Sequence, residues 1–116
     1  MIKFKSLNKS NQFLNILKKS KMDNKYFTLF FDKNSTHKKS NKILNISFVM
    51  KKKIGNAVKR NKIRRKLKAI VHKLIKKRGA INRDYTYIVF GKPKAYTEKQ
   101  SILMAEMTKN FKKLSK

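Results

Sequence analysis

The pattern of hydrophobic and polar positions along this chain predicts short strands and amphipathic helices. Phe13 and Leu17 have the i, i+4 spacing of one helix face, which predicts a short first helix. Apolar side chains alternate with others in segments 26–31 and 43–50, which predicts two strands joined by a polar connection. Residues 1–9 are basic and show no clear pattern, so we expect a flexible basic arm there.

The second half of the chain predicts two longer helices with a strand between them. Gly55-Asn56 interrupts the pattern and introduces a helix over about residues 57–77, which Gly79 is expected to end. A strand over 85–90 follows, and Thr97-Glu98-Lys99-Gln100 matches a capping box at the start of the last helix. That helix has an apolar stripe formed by Leu103, Met107, Phe111 and Leu114.

This order of elements predicts an α+β fold, a small two-layer sandwich of helices on a short sheet. The chain has 116 residues, which suits a single domain spanning 1–116 with one modest core. A hydrophobic content of 40% argues against a disordered chain. The net charge is +28, with 33 Lys and Arg against 5 Asp and Glu, so we expect a polyanionic partner.

Several classes of protein are disfavoured by composition. The chain has no cysteine, which excludes disulfides and thiolate metal sites. No apolar run approaches the roughly 18 residues of a membrane span, and the N-terminal residues lack the apolar core of a signal peptide. We therefore expect a cytoplasmic protein with no membrane partner.

The most informative segment is 51–68, in which ten of eighteen residues are Lys or Arg. An apolar series runs through it, and at 100° per residue the helix presents one stripe to the core, formed by Ile63, Leu67, Ile70, Val71 and Leu74. The opposite side carries Asn61, Arg65, Lys68 and His72. Arginine meets two phosphate oxygens with its planar fork, and a helix N-terminus attracts anions. A solvated charged face is the alternative interpretation.

The aromatic, histidine and acidic side chains give weaker indications of function. Phe13 and Phe30 are either core residues, which spacing alone favours, or platforms on which unpaired bases stack. Acid–base cleavage of RNA by His37 and His72 is disfavoured, because nothing in the sequence brings them together. The carboxylates are scattered and lack the paired spacing of two-metal hydrolysis. We predict no catalytic residue and no bound metal in the polypeptide itself.

Residues 53–65, Lys-Ile-Gly-Asn-Ala-Val-Lys-Arg-Asn-Lys-Ile-Arg-Arg, closely resemble the signature of the bacterial ribonuclease P protein component. The resemblance extends from about Ser6 to Leu114. It implies a fold like domain 2 of ribosomal protein S5, with a left-handed βαβ crossover that general rules disfavour. It also implies a subunit of an endoribonuclease that removes the 5′ leader of precursor tRNA.

The same resemblance implies partners and sites. The partners are a catalytic RNA subunit, which carries the chemistry and binds most of the Mg²⁺, and precursor tRNA; no protein partner is required. The expected contacts with the RNA subunit are Lys52, Lys53, Asn56, Arg60, Asn61, Arg64, Arg65 and Lys68. The expected contacts with the leader, in a cleft between the first helix and the open sheet face, are Phe13, Leu17 and Phe30.

Three positions depart from the family pattern. Lys68 and Gly91 stand where Arg is usual, with Lys92 the nearest substitute for the second, and Leu17 replaces a frequent aromatic residue. The rival interpretation is a ribosomal or general RNA-binding protein without a catalytic complex. A DNA-binding helix-turn-helix is disfavoured, because strands precede the basic helix.

Overall fold

The computed structural model describes residues 3–5, 15–18, 20–33, 43–77, 81 and 85–114. The strands are β1 (Lys3–Lys5), β2 (Ser20–Asp23), β3 (Phe27–Lys33), β4 (Ile43–Val49) and β5 (Tyr85–Gly91). The two long helices are α1 (Ala57–Ile75) and α2 (Gln100–Leu114). Short 3-10 helices at Lys52–Ile54 and Pro93–Tyr96 precede them, and residues 15–17 form a helical turn.

The strands form one sheet in the order β1-β4-β5-β3-β2. β4 is parallel to β1 and β5, whereas β3 is antiparallel to both β5 and β2. Asn24 shapes the turn between β2 and β3, because its side-chain Oδ1 accepts hydrogen bonds from the backbone N–H groups of Tyr26 (2.8 Å) and Phe27 (3.0 Å). These side-chain bonds reinforce a turn that is also closed by the backbone hydrogen bond from Asn24 N–H to the Phe27 carbonyl at 3.1 Å.

Helices α1 and α2 cover one face of the sheet, so the predicted α+β sandwich is confirmed. Phe27 and Leu29 of β3 and Tyr87 and Val89 of β5 point into this core. The predicted apolar stripe of α1 is buried along its whole length, as are Leu103, Met107 and Phe111 of α2. The other face of the sheet carries the alternate residues of β3 and β5, among them Thr28, Phe30 and Phe90, which line a cleft.

Two strands were missed by the sequence patterns. Residues 3–5, part of the expected flexible arm, instead form β1 and pair with β4 from Lys3↔Ile43 to Lys5↔Asn45. β2 pairs with β3 from Ser20↔Phe31 to Asp23↔Thr28. Both are short strands that complete the hydrogen bonding of a sheet edge, and a segment of three or four residues has too little periodicity of its own to predict this. The rest of the arm lies outside the described residues.

The predicted helices are confirmed with changes at their ends. α1 ends at Ile75 rather than Lys77, and Gly79 lies outside the described residues. The capping box before α2 is wrong: Gln100 Nε2 donates instead to the carbonyl of Lys66 in α1, at 2.9 Å. The side chain of Gln100 therefore bonds to the neighbouring helix α1 and not to the backbone N–H of Thr97.

Helix α1 connects two neighbouring parallel strands, β4 and β5, and so forms the predicted βαβ unit. The left hand of this crossover and the likeness to ribosomal protein S5 stay predictions. The polar connection before β4 lies outside the described residues between 33 and 43, as does most of the first helix, including Phe13.

Candidate nucleic-acid interface

The turn at Gly55 and Asn56 sets the start of the basic helix. Gly55 has φ +156° and ψ −164°, a backbone conformation that essentially only glycine adopts without strain. Asn56 is the N-cap of α1, and its Oδ1 accepts a hydrogen bond from the backbone N–H of Lys59 at 2.9 Å. The cap engages Oδ1, and the amide nitrogen of Asn56 is the group that can donate to an RNA phosphate.

The predicted polar face of α1 is exposed. Asn61, Arg64, Arg65 and Lys68 all face solvent, and Lys52 and Lys53 are exposed on the 3-10 helix just before α1. Arg64 Nη1 donates to Asn61 Oδ1 at 3.0 Å, which orients the guanidinium without neutralising its charge. The face therefore presents fixed positive charges to an incoming polyanion.

Arg60 and His72 differ from this exposed set. Arg60 is half-buried at the edge of the apolar stripe, and its enclosed Nε has no hydrogen-bond acceptor among the described residues. His72 lies on the exposed face, where partial desolvation, followed by the charges of Lys68 and Lys76, lowers its pKa. His72 is therefore mostly neutral at pH 7 and adds little to the positive charge of the helix.

Lys66 has a structural role that sequence analysis missed. Its ammonium donates to the backbone carbonyls of Ala95 (2.8 Å), Tyr96 (3.1 Å) and Glu98 (2.5 Å). Desolvation, followed by the charge of Lys62, lowers the pKa of Lys66. This lysine ties the segment before α2 to the middle of α1 and is not part of the exposed basic face.

A cleft of about 660 Å³ lies beside the start of α1 on the sheet face opposite the core. Leu17 and Phe30, two of the three predicted leader contacts, both line it, while Phe13 lies outside the described residues. Sequence analysis missed Phe90, whose ring meets that of Phe30 edge to face with centroids 5.3 Å apart. The alternation of Thr86, Ile88 and Phe90 along β5, on the face away from the core, was the signal available in the sequence.

Charged residues surround this aromatic pair. The remaining residues that line the cleft are Lys21, Asp23, Thr28, Lys51, Lys53, Ile54, Gly91, Lys92 and Pro93. Lys51 Nζ lies 5.5 Å from the centre of the Phe90 ring, a cation–π arrangement. The cleft therefore combines flat apolar surfaces with several ammonium groups.

Asp23 and Lys92 form an ion pair in the cleft. Lys92 Nζ donates to Asp23 Oδ1 at 2.5 Å and to the carbonyl of Asn24 at 2.6 Å. Thr28 Oγ1 donates to the same Asp23 oxygen at 2.6 Å. The hydrogen bonds from Lys92 and then Thr28 hold the pKa of Asp23 below its usual value, so this carboxylate is ionised at neutral pH.

Gly91 has a packing reason for lacking a side chain. A Cβ built on it would collide with Met50 Sδ and would lie 2.8 Å from Ile63 Cγ2. No larger residue fits between β5 and α1 without displacing core atoms. Lys92, the next residue, supplies the positive charge at this end of β5.

The two surfaces adjoin at Lys53, which belongs to the 3-10 helix before α1 and also lines the cleft. Within the part of the chain that the structure describes, no three His, Asp or Glu side chains cluster as metal ligands would. His37 lies outside that part, so the structure does not place it relative to His72. None of the described helices is long and apolar enough to cross a membrane.

Comparison with known proteins agrees with this geometry. Residues 1–115 match the family model described as Ribonuclease P. No curated protein matches the chain. The structure of the Staphylococcus aureus RNase P protein is similar, with 24% identity, a TM-score of 0.69 and coverage of 96% of this chain and 94% of that one.

The RNase P protein from Thermotoga maritima is similar to the same degree, with 23% identity, a TM-score of 0.70 and coverage of 94% of this chain and 96% of that one. At these identities the structural likeness shows the fold, and the family match over nearly the whole length shows the relationship. The chain therefore belongs to the ribonuclease P protein family, whose members are RNA-binding components of a tRNA-processing endoribonuclease with an RNA subunit.

Proposed function

We propose that this protein is the protein subunit of a cytoplasmic ribonuclease P holoenzyme and holds two RNA strands at once. The exposed basic face of α1 binds the catalytic RNA, and the cleft binds the 5′ leader of precursor tRNA. The reaction is hydrolysis of the phosphodiester that joins leader to tRNA, which leaves a 5′-phosphate on the mature end. The catalytic RNA and its Mg²⁺ ions perform that chemistry.

The main observation that supports this proposal is the composition of the cleft. Phe30 and Phe90 form an aromatic floor, and the lysines around it can follow a phosphate backbone. Stacking of unpaired bases on aromatic rings contributes about 1–3 kcal/mol per base and tolerates any base. A variable single-stranded leader needs this kind of site, because no fixed sequence is available for hydrogen-bond readout.

The adjoining helix supports the second contact. Arg64, Arg65 and Lys68 are exposed side by side on a rigid element whose other face is buried in the core. Guanidinium groups on such a support bind phosphates with charge-assisted hydrogen bonds. The protein thereby neutralises phosphates near the cleavage site, and this favours occupancy by substrate and Mg²⁺.

The test is reconstitution with the cognate catalytic RNA at low Mg²⁺ concentration. We expect the protein to accelerate leader removal and to strengthen binding of precursor tRNA relative to mature tRNA. A general RNA-binding protein without a catalytic complex would bind both tRNAs alike and leave the cleavage rate unchanged. That result would contradict the proposal.

A further inference from the structure

Asp23 is the one acidic side chain among the described residues that line the cleft, where it lies among Lys21, Lys51, Lys53 and Lys92. A carboxylate on a surface that binds a polyanion repels the ligand and weakens binding. The proposed function gives Asp23 no part in stacking or in neutralising phosphate. Its position in the cleft therefore needs a separate explanation.

Strand pairing places Asp23 on the same sheet face as the aromatic pair. Asp23 of β2 lies opposite Thr28 of β3, which lies opposite Phe90 of β5, so the three side chains form a row across one sheet face. Asp23 Oδ1 accepts hydrogen bonds from both Thr28 and Lys92, and its second oxygen accepts none from the described residues. The carboxylate is thus held next to the aromatic floor.

The ammonium of Lys92 already donates hydrogen bonds to acceptors within the protein. This group has three N–H donors, of which Asp23 Oδ1 and the Asn24 carbonyl take two. The side chains of Lys92 and Asp23 are 34% and 57% exposed, so a ligand can reach both. An exposed pair of this kind is weak, and a phosphate oxygen can replace the carboxylate as the acceptor.

We infer that Asp23 competes with a leader phosphate for the ammonium of Lys92 and so limits how tightly the cleft holds the leader. The inference rests on the proposed function of the cleft. When the leader enters, the flexible lysine stem turns the ammonium from carboxylate to phosphate. Leader binding must therefore break the ion pair between Asp23 and Lys92, and the strength of that pair lowers affinity for the leader alone.

Asp23→Asn tests this directly, because asparagine keeps the shape and an oxygen that can accept from Thr28. In the reconstituted holoenzyme we expect precursor tRNA to bind about two- to five-fold more tightly, the range set by the strength of one exposed ion pair. Binding of mature tRNA should not change.

Two further variants separate this from other effects. Glu106→Gln removes the same charge from α2, outside the residues that line the cleft, and serves as the matched control. Lys92→Gln should weaken precursor binding, and Asp23→Asn added to it should have no further effect, because the competition needs both groups. Melting temperatures of all variants establish that they are folded.

The outcomes are distinct. Tighter precursor binding by Asp23→Asn alone, abolished in the Lys92→Gln background, supports the competition. Equal tightening by Glu106→Gln, or unchanged or weaker binding by Asp23→Asn, overturns it while the wild type still prefers precursor over mature tRNA. If the wild type shows no such preference, the proposed leader function fails and the competition fails with it.

Discussion

The exposed face of α1 and the cleft are both rich in lysine, yet they are built on different principles. The α1 face is a set of fixed charges with few partners, supported by a buried apolar stripe. In the cleft, charge surrounds an aromatic pair and is partly cancelled by Asp23. The comparison teaches that the positive groups behind the net charge of +28 are not equally available to a ligand. An ammonium that already donates to acceptors within the protein attracts an anionic ligand less strongly.

The largest difference between the two surfaces should be in the salt dependence of RNA binding. If the α1 face makes about 6–10 phosphate contacts, affinity for the catalytic RNA should fall by about 10³–10⁵ between 50 and 200 mM salt. The preference for precursor over mature tRNA should fall by only about tenfold or less, because stacking does not release counterions. Equilibrium binding across a salt series measures both, and parallel losses would remove the distinction.

Substitution on α1 should affect assembly and spare leader recognition. Arg65→Ala should weaken binding to the catalytic RNA by about 1.5–3 kcal/mol, since a charge-assisted contact is lost. Arg60→Ala should act similarly, with an added stability cost from its half-buried position. Lys73→Ala, also exposed on α1 but on its far flank, is the control and should change little. If Lys73→Ala weakened binding equally, the α1 face would bind RNA by general electrostatic attraction and not by specific contacts.

Substitution in the cleft should do the reverse. Phe30→Ala and Phe90→Ala should each reduce the preference for precursor tRNA by about 1–3 kcal/mol, the value of one stacked base, and leave assembly intact. Phe13→Ala should do the same if the first helix borders the cleft as the family resemblance implies. Melting must be measured first, because Phe30 and Phe90 also contact each other. If the folded variants kept the full preference for precursor over mature tRNA, the leader would not bind in the cleft.

The smallest expected effect on RNA binding concerns a lysine that belongs to neither surface. Lys66→Met should lower the free energy of unfolding by about 1–3 kcal/mol, because three backbone carbonyls lose their donor. RNA affinity of the folded variant should stay close to that of Lys73→Met, which removes an equal charge from the same helix. Chemical denaturation and binding assays check the two expectations. A loss of RNA affinity without a loss of stability would indicate that Lys66 contacts RNA and has no structural role.

Much of the fold was predictable because its signals are local. The stripe from Ile63 to Leu74 and the stripe of α2 follow from helical periodicity, and both are buried as expected. β4 was predicted from alternation and β5 from an apolar run that ends at a Gly-Lys-Pro segment, each to within one residue at both ends. β1 and β2 were not, because short edge strands are defined by the partner whose hydrogen bonds they complete.

The candidate site was predictable in its basic part and less so in its cleft. The segment 53–65 identified α1 and its Gly55 turn, and Leu17 and Phe30 do line one cleft. Alternation along β5 indicates the face on which Phe90 lies, but the approach of Phe90 and Asp23 to Phe30 follows only from the pairing of β2, β3 and β5. The capping role of Asn56 was hidden for a different reason: one side chain can serve a backbone N–H or a ligand.

By itself the sequence determined the high positive charge, the amphipathic basic helix and the helix stripes, because composition and periodicity are properties of short segments. The resemblance of residues 53–65 to a known signature indicated the family. Only the tertiary structure decided which lysines are available. Lys66 donates to three backbone carbonyls, Lys92 pairs with Asp23, and Lys68 remains exposed, although all three are lysines in basic segments of the sequence. The physical reason is that the free energy of a charged group depends on the acceptors and water around it, and distant segments of the chain supply those acceptors.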